Sequence, residues 1–207
     1  MNDDVSTLAE WIAASPSTVF FGGAGVSTES GIPDFRGANG FYFQEREIPL
    51  ETVLSIDFFE RHPQAYWEWF HEIYRPVEPN GAHRALASLE AAGRLDAVIT
   101  QNIDGLHQRA GSRAVWELHG NWERLVCTDC GTVASLGDAV TVDGDPVPAC
   151  PSCASQMRPD IVMYGESLDE GVIEAAVSAI SRASVLIVAG TSLVVYPAAG
   201  LINYFSG

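Results

Sequence analysis

Apolar and polar positions along this chain switch repeatedly between helical spacing and short unbroken apolar runs. Leu8, Trp11 and Ile12 recur on one helical face behind Ser6 or Thr7 as candidate caps, and Pro16 closes that segment. Thr18-Val19-Phe20-Phe21 reads as a buried strand that hands over to Gly22-Gly23-Ala24-Gly25, after which Val26 to Ser30 can begin a helix. From Gly40 to Arg75 the pattern is helical: Leu50 to Leu54, then Phe58-Phe59, then Pro63 to Arg75 with Pro63 suited to the first turn. Tyr66, Trp67, Trp69, Phe70 and Tyr74 crowd that last stretch and predict a packed insertion rather than a base-stacking platform. Asn80 is placed to cap a helix from Ala82 to Ala92 with Ala85, Leu86 and Leu89 inward, stopped by Gly93. Apolar strands are expected at Ala97-Val98-Ile99, Val115 to Leu118, Asp160 to Glu166 and Val185 to Ala189, with helices at Gly171 to Ser181 and Ala198 to Phe205. Strands alternating with helices predict an α/β fold with a parallel sheet.

Composition narrows the class. At 207 residues and 47% hydrophobic content the chain can bury a full core as one domain, or as one large and one small. It has no run of apolar residues long enough to span a membrane, and its start, MNDDVSTLAEW, is acidic where a signal peptide would be basic, so a cytoplasmic location is expected. The formal charge of −16 disfavours nucleic acid and anionic membrane as partners. All 11 basic residues are Arg, so the chain offers no lysine of its own for modification.

Chemistry concentrates at the strand ends. Glycines after the first strand let backbone N–H groups approach an anion such as a pyrophosphate. The match to G-x-G-x-x-G is imperfect, because Thr28 stands where a small residue is needed and no acidic residue closes a second strand. The loop runs on through Gly31-Ile32-Pro33-Asp34-Phe35-Arg36-Gly37, which offers a carboxylate, an aromatic ring and a guanidinium. Thr100-Gln101-Asn102-Ile103-Asp104-Gly105-Leu106-His107 follows the second strand, where polar groups point at a ligand crevice; taken alone it reads equally well as a loop capping the next helix through Asp104. His119 and His107 are the histidines in position for acid–base work. Cys127-Thr128-Asp129-Cys130 and Cys150-Pro151-Ser152-Cys153 are two C-x-x-C pairs with nineteen residues between them. Four thiolates so spaced predict a closed tetrahedral zinc site, whereas a disulfide suits a cytoplasmic chain poorly and a thioredoxin-like pair would not occur twice. Little apolar sequence lies between the pairs, so metal would supply the folding energy of that lobe.

Several of these stretches resemble the sirtuins, the NAD-dependent protein deacylases of bacterial type. GAGVSTESGIPDFRG is similar to that family's first motif, TQNIDGLH to its second, and His119-Gly120 to the pair that carries its catalytic base. Asp160 to Glu166 resembles the segment that pairs by β-addition with the substrate backbone, with Tyr164 where Phe is usual. Gly190-Thr191-Ser192-Leu193 resembles a cofactor motif, and Val194-Val195-Tyr196-Pro197 the other wall of a peptide cleft. Sirtuins usually continue through another strand that touches the adenine; the resemblance stops at Gly207, and a missing strand would leave an exposed sheet edge.

The resemblance implies one catalytic domain. A Rossmann-like parallel sheet is expected from residues 1–38, 79–120 and 160–207, with a small lobe from a helical insertion (39–78) and a zinc module (121–159). It implies NAD-dependent removal of an acetyl group from lysine, yielding nicotinamide and O-acetyl-ADP-ribose, with His119 as base and Asn102 beside it ordering a water. Gly23, Ala24, Gly25, Gly190, Thr191 and Ser192 would hold phosphates and nearby ribose. Asp34, Phe35 and Arg36 would cover the cofactor, with Phe35 on the ribose face, while Gln101 and Asn102 would bind ribose and Ile103 and Asp104 the nicotinamide carboxamide. Val162, Met163, Tyr164, Gly165, Glu166 and Val194 would hold the acetyl-lysine peptide. Succinyl-preferring relatives carry Tyr-x-x-Arg where this chain has Phe70 and Ile73, which implies a preference for acetyl-lysine. ADP-ribosyl transfer to protein shares the NAD site and is the alternative activity; a non-enzymatic zinc module would leave His119 and TQNID unexplained.

Overall fold

A computed structural model describes residues 3–34, 37, 40, 48–138, 141 and 144–207. In chain order the elements are α1 (Asp3–Ala14), β1 (Thr18–Gly22), a 3-10 segment (Ala24–Ser30), α2 (Leu50–Val53), α3 (Ile56–Arg61), α4 (Pro63–Ile73), α5 (Gly81–Ala91), β2 (Ala97–Thr100), α6 (Leu106–Arg109), β3 (Val115–Glu117), β4 (Gly120–Cys127), β5 (Val133–Ser135), a 3-10 turn (Leu136–Asp138), β6 (Met157–Ile161), α7 (Glu170–Arg182), β7 (Val185–Ala189) and a 3-10 segment (Ala198–Tyr204).

The expected parallel sheet is present, in the order β3-β2-β1-β7. Phe20 of β1 sits opposite Val98 of β2 and Ile187 of β7. Alternate residues of β1 serve opposite faces, as strand geometry requires. Val19 and Phe21 pack with Ile99, Leu118, Ile180 and Leu201, whereas Phe20 packs with Val98, Leu86 and Leu95. Burial on both faces is why the strand reads as an unbroken apolar run. β7 pairs with β1 alone among the described residues and is partly exposed, with Val188 at 40%.

A second, antiparallel sheet runs β5-β4-β6 and packs on the aromatic helices. Tyr66, Trp67 and Phe70 of α4 are fully buried against Trp122, Leu125, Cys127, Cys150 and Met157. The dense aromatic stretch is therefore the core of this half of the molecule, as its composition predicts.

Boundaries differ from expectation for local reasons. α1 begins at Asp3, where Asp3 and Asp4 favour the positive helix end, so Ser6 and Thr7 lie inside it and Thr7 Oγ1 donates back to the Asp3 carbonyl. Its apolar face is not buried: Trp11 is 60% exposed. Ala85 points outward on α5, and His83 takes the inward place beside Leu86 and Ala87. β6 occupies Met157–Ile161 and ends before Val162, because Tyr164 turns away to bridge Ser55. The segments after Gly23 and after Pro197 are 3-10 rather than α-helical, the latter with Gly200 inside it.

Candidate active site

Three segments leave the carboxyl ends of the adjacent strands β1, β2 and β7, and so converge: 23–27, 101–104 and 190–192. They border a cavity of about 660 Å³. Gly23, Ala24, Gly25, Asp34, Gln101, Asn102, Ile103, Asp104, Gly190, Thr191 and Ser192 all line it. Phe35 and Arg36, expected to cover the cofactor, lie outside the described residues.

Close packing of two of these loops explains the glycines. A Cβ on Gly25 would come within 2.8 Å of Gly190 Cα, and Gly25 N–H donates to the Gly190 carbonyl at 2.8 Å. Val26 N–H donates to the Gly23 carbonyl at 2.9 Å. These two amides are thus committed within the protein.

At the cavity floor lies a largely buried polar network. Ser27 Oγ donates to Asp104 Oδ2 at 2.6 Å and accepts from Asn102 Nδ2 at 3.0 Å. Asp104 Oδ1 accepts from Leu106 N–H at 3.0 Å, which starts α6. His83 Nε2 lies 3.5 Å from Ser27 Oγ, and its Nδ1 accepts from the Asn80 N–H at 3.3 Å. Asn80 caps α5 and also donates from Nδ2 to the Val26 carbonyl at 2.7 Å. Burial lowers the His83 pKa, Asp104 opposing and Arg84 reinforcing it. Sequence reasoning named Asn80 only as a cap and did not single out Ser27 or His83, whose partners are 77 and 56 positions away along the chain.

His119 is half-buried on the cavity wall. Its Nδ1–H donates to the Gln101 carbonyl at 2.7 Å, which leaves Nε2 as the basic nitrogen. Burial lowers its pKa from 6.5, with the bond to Gln101 opposing, so the ring is neutral near pH 7. Gln101 Nε2 donates to Thr191 Oγ1 at 3.0 Å and ties the second loop to the third. Gly120, at φ +76, is dictated by close approach, since a Cβ there would overlap the Asp160 carbonyl. His107 is different: it does not line the cavity, neither ring nitrogen has a hydrogen-bond partner among the described residues, and it is buried as a structural residue. It packs edge-on to His83 at 4.7 Å, and burial, then His83, push its pKa down to about 3.

Val162, Met163, Tyr164, Gly165 and Glu166 line the opposite side. Val194 does not: it is 53% exposed, and the chain turns at Leu193 (φ 55) so that Val195, Tyr196 and Pro197 form that wall instead. Trp69 and Ile73, one helical turn apart, face the cavity with Trp122 and Leu54. Phe70 lies behind them, stacked on Tyr74 at 5.7 Å.

The sulfurs of Cys127, Cys130, Cys150 and Cys153 lie within 4.8 Å of one another. Cys127 and Cys153 approach to 3.5 Å and Cys130 and Cys150 to 3.7 Å, near the roughly 3.8 Å edge of a tetrahedron with metal–sulfur bonds of about 2.3 Å. Backbone N–H groups of Asp129 and Cys130 point at Cys127 Sγ, and that of Ser152 at Cys150 Sγ, each at 3.4 Å, as suits thiolate acceptors. The donor set fits a structural metal ion.

A parallel sheet with a glycine loop at its carboxyl edge, a histidine across the cavity and a four-cysteine module define a Rossmann-like α/β class with an appended four-cysteine knot. The Sir2 family model matches residues 23–197, and the chain belongs to that family. A Clostridium perfringens NAD-dependent protein deacetylase is 51% identical over 99% of this chain and 85% of its own length. The Thermotoga maritima NAD-dependent protein deacetylase is 48% identical over 89% and 75%. A solved Sir2 complex with a p53 peptide and NAD+ superposes with TM-score 0.85 at 44% identity, covering 97% of this chain and 81% of that one. A Sir2 structure bound to a propionylated peptide gives 0.85 at 42% identity, covering 99% and 81%.

Proposed function

We propose that this chain is an NAD-dependent protein-lysine deacetylase that forms nicotinamide, O-acetyl-ADP-ribose and the free lysine. The observation that carries the reading is His119: a neutral imidazole, fixed through Nδ1 to Gln101, on a cavity shared by the glycine loop and the 162–166 segment. NAD would be the co-substrate: its glycosidic C–N bond would break, releasing nicotinamide, as the acetyl oxygen bonds to the same ribose carbon. Gln101 and Asn102 would hold that ribose, Ile103 and Asp104 the nicotinamide carboxamide, and Gly23, Ala24, Thr191 and Ser192 the phosphates and nearby ribose. Asn102 is oriented for its part, because its Nδ2 is bound to Ser27 and its N–H to Thr100 Oγ1. His119 Nε2 then takes a proton from a ribose hydroxyl so that the oxygen can attack the acyl carbon.

The four cysteines would hold one structural zinc ion. We assign residues 39–78 and 121–159 to a small lobe on the NAD-binding remainder. No helix among the described residues is long and apolar enough to cross a membrane. The acidic charge and reduced cysteines support a cytoplasmic protein that acts on peptides rather than nucleic acid.

Incubation with NAD and an acetyl-lysine peptide, followed by mass spectrometry, tests this. O-acetyl-ADP-ribose and deacetylated peptide are expected, and ADP-ribose on the protein instead would replace the reading with ADP-ribosyl transfer. On the same peptide, acetyl-lysine should be processed clearly faster than succinyl-lysine. Ile73, Trp69 and Trp122 offer an apolar wall, and among the described residues lining the cavity there is no Arg to pair an extra carboxylate; an unpaired buried carboxylate is costly. Equal or faster desuccinylation would overturn the acyl assignment.

A further inference from the structure

Glu166 lies in the segment assigned above to the peptide, yet its carboxylate is already engaged. Arg158 Nη1 donates to Glu166 Oε1 at 2.7 Å and Nη2 to Oε2 at 2.6 Å, a two-pronged ion pair between side chains only 20% and 25% exposed. Glu166 Oε2 also accepts from the Met163 N–H at 2.9 Å, and Arg158 Nη2 donates to the Ile161 carbonyl at 2.9 Å. One guanidinium and one carboxylate therefore hold both ends of the 161–166 turn.

Arg158 is also well anchored. It is in β6, one residue after Met157, which pairs with the cluster residue Cys127 on β4. Its guanidinium carbon lies 5.9 Å from the Phe59 ring centre, over the aromatic core of α3 and α4. On its other side the turn is held by α2 and α3: Tyr164 N–H donates to the Leu54 carbonyl at 2.9 Å, and Ile56 N–H to the Tyr164 carbonyl at 3.0 Å. Val162 N–H is taken by the His119 carbonyl at 2.9 Å. Among the described residues, the backbone groups of this turn with no such bond include the Val162 carbonyl and the Gly165 N–H, which a peptide strand could use.

We propose that Arg158 and Glu166 are a positioning pair that sets the backbone of Met163–Gly165 for the acyl-lysine peptide, so that Glu166 does not itself read peptide charge. The proposal rests on the deacetylase reading and on the 162–166 segment as the peptide's binding edge. It links the metal-bearing sheet to the peptide cleft through a single arginine.

The test is steady-state kinetics on two acetyl-lysine peptides, one with basic and one with acidic flanks, with peptide varied at saturating NAD and NAD varied at saturating peptide. Wild type is compared with Glu166→Gln, Arg158→Met and Arg158→Lys, with melting temperature and metal content measured for each. Glu166→Gln and Arg158→Met should each raise KM for both peptides by the same factor, on the order of tenfold, with KM for NAD and kcat within about twofold. Arg158→Lys should recover part of that loss, since an ammonium keeps the charge but not the fork. The double variant Arg158→Met with Glu166→Gln should be no worse than either single one, because both remove the same pair. A rise confined to the basic peptide on Glu166→Gln would make Glu166 a direct reader and overturn the proposal. So would an unchanged peptide KM in Arg158→Met, or parallel losses in kcat, NAD KM and melting temperature across the variants. A wild-type protein that turns over neither peptide would overturn the parent reading, and the proposal with it, at the first step.

Discussion

Two backbone oxygens fix the place of His119. Gln101 O fixes its tautomer, and its own carbonyl is held by Val162, so the ring is oriented from the strand ends on both sides. His119→Ala should lower kcat/KM by at least about 100-fold while leaving the melting temperature and metal content intact, since a positioned base contributes about 10²–10⁴-fold. A loss of threefold or less would exclude it as the base. Because burial lowers its pKa, the acid limb of the kcat/KM profile should fall below 6.5, and a limb above that value would contradict the neutral, buried ring. The residues of this site were legible as motifs, since TQNID and the HG pair are contiguous in sequence. Ser27, His83 and Trp69 were not, because what makes them part of the site is contact with chain segments far away.

At the scale of elements, the two C-x-x-C turns join β4 to the approach to β6, and Cys127 and Cys150 are buried in the same cluster as Tyr66, Trp67 and Phe70. The four-cysteine knot is thereby packed against the aromatic helices rather than hanging free, which the sparse apolar content between the pairs did not suggest. One zinc per chain is expected by metal analysis. Cys150→Ala should lose it and melt at least several degrees lower, because the cluster's free energy of metal binding is also folding free energy. Active protein with substoichiometric metal, or a Cys150→Ala variant of unchanged melting temperature, would contradict this. Strand positions were readable from apolar runs buried on both faces, whereas the end of β6 was not. Asp160 to Glu166 has strand-like composition, but Tyr164 finds its partners at Leu54 and Ile56, on another element.

Across the whole molecule, His107 and His83 make stability depend on pH. The folded state keeps His107 neutral down to about 3, while the unfolded chain takes up its proton near 6.5. Below 6.5 the unfolded state therefore binds more protons, so the stability due to the neutral ring is complete above that pH and declines as pH falls towards 3. Once that site is titrated only in the unfolded chain, the loss is about 1.4 kcal/mol per pH unit. His83 acts in the same direction, tempered by Asp104. Denaturant unfolding between pH 7 and pH 4 should thus show a steep fall in stability, and His107→Leu should remove about one proton's worth of that slope. An unchanged slope in His107→Leu would show that His107 is not titrating between the two states.

The sequence by itself determined the alternation of strands and helices, the order of the chemical motifs and the four-cysteine spacing, because each depends on residues close together in the chain. Tertiary structure alone decided which neighbours those residues meet. It committed the glycine-loop amide of Gly25 to Gly190, turned Val194 away from the cavity that Tyr196 borders, and moved Ala85 to the surface in favour of His83. It also joined Glu166 to Arg158 in a two-pronged ion pair that the local sequence does not indicate. The physical reason is the same in each case: a polar group's role follows from where its hydrogen bonds are satisfied, and partners separated by tens of residues are chosen by packing rather than by local pattern.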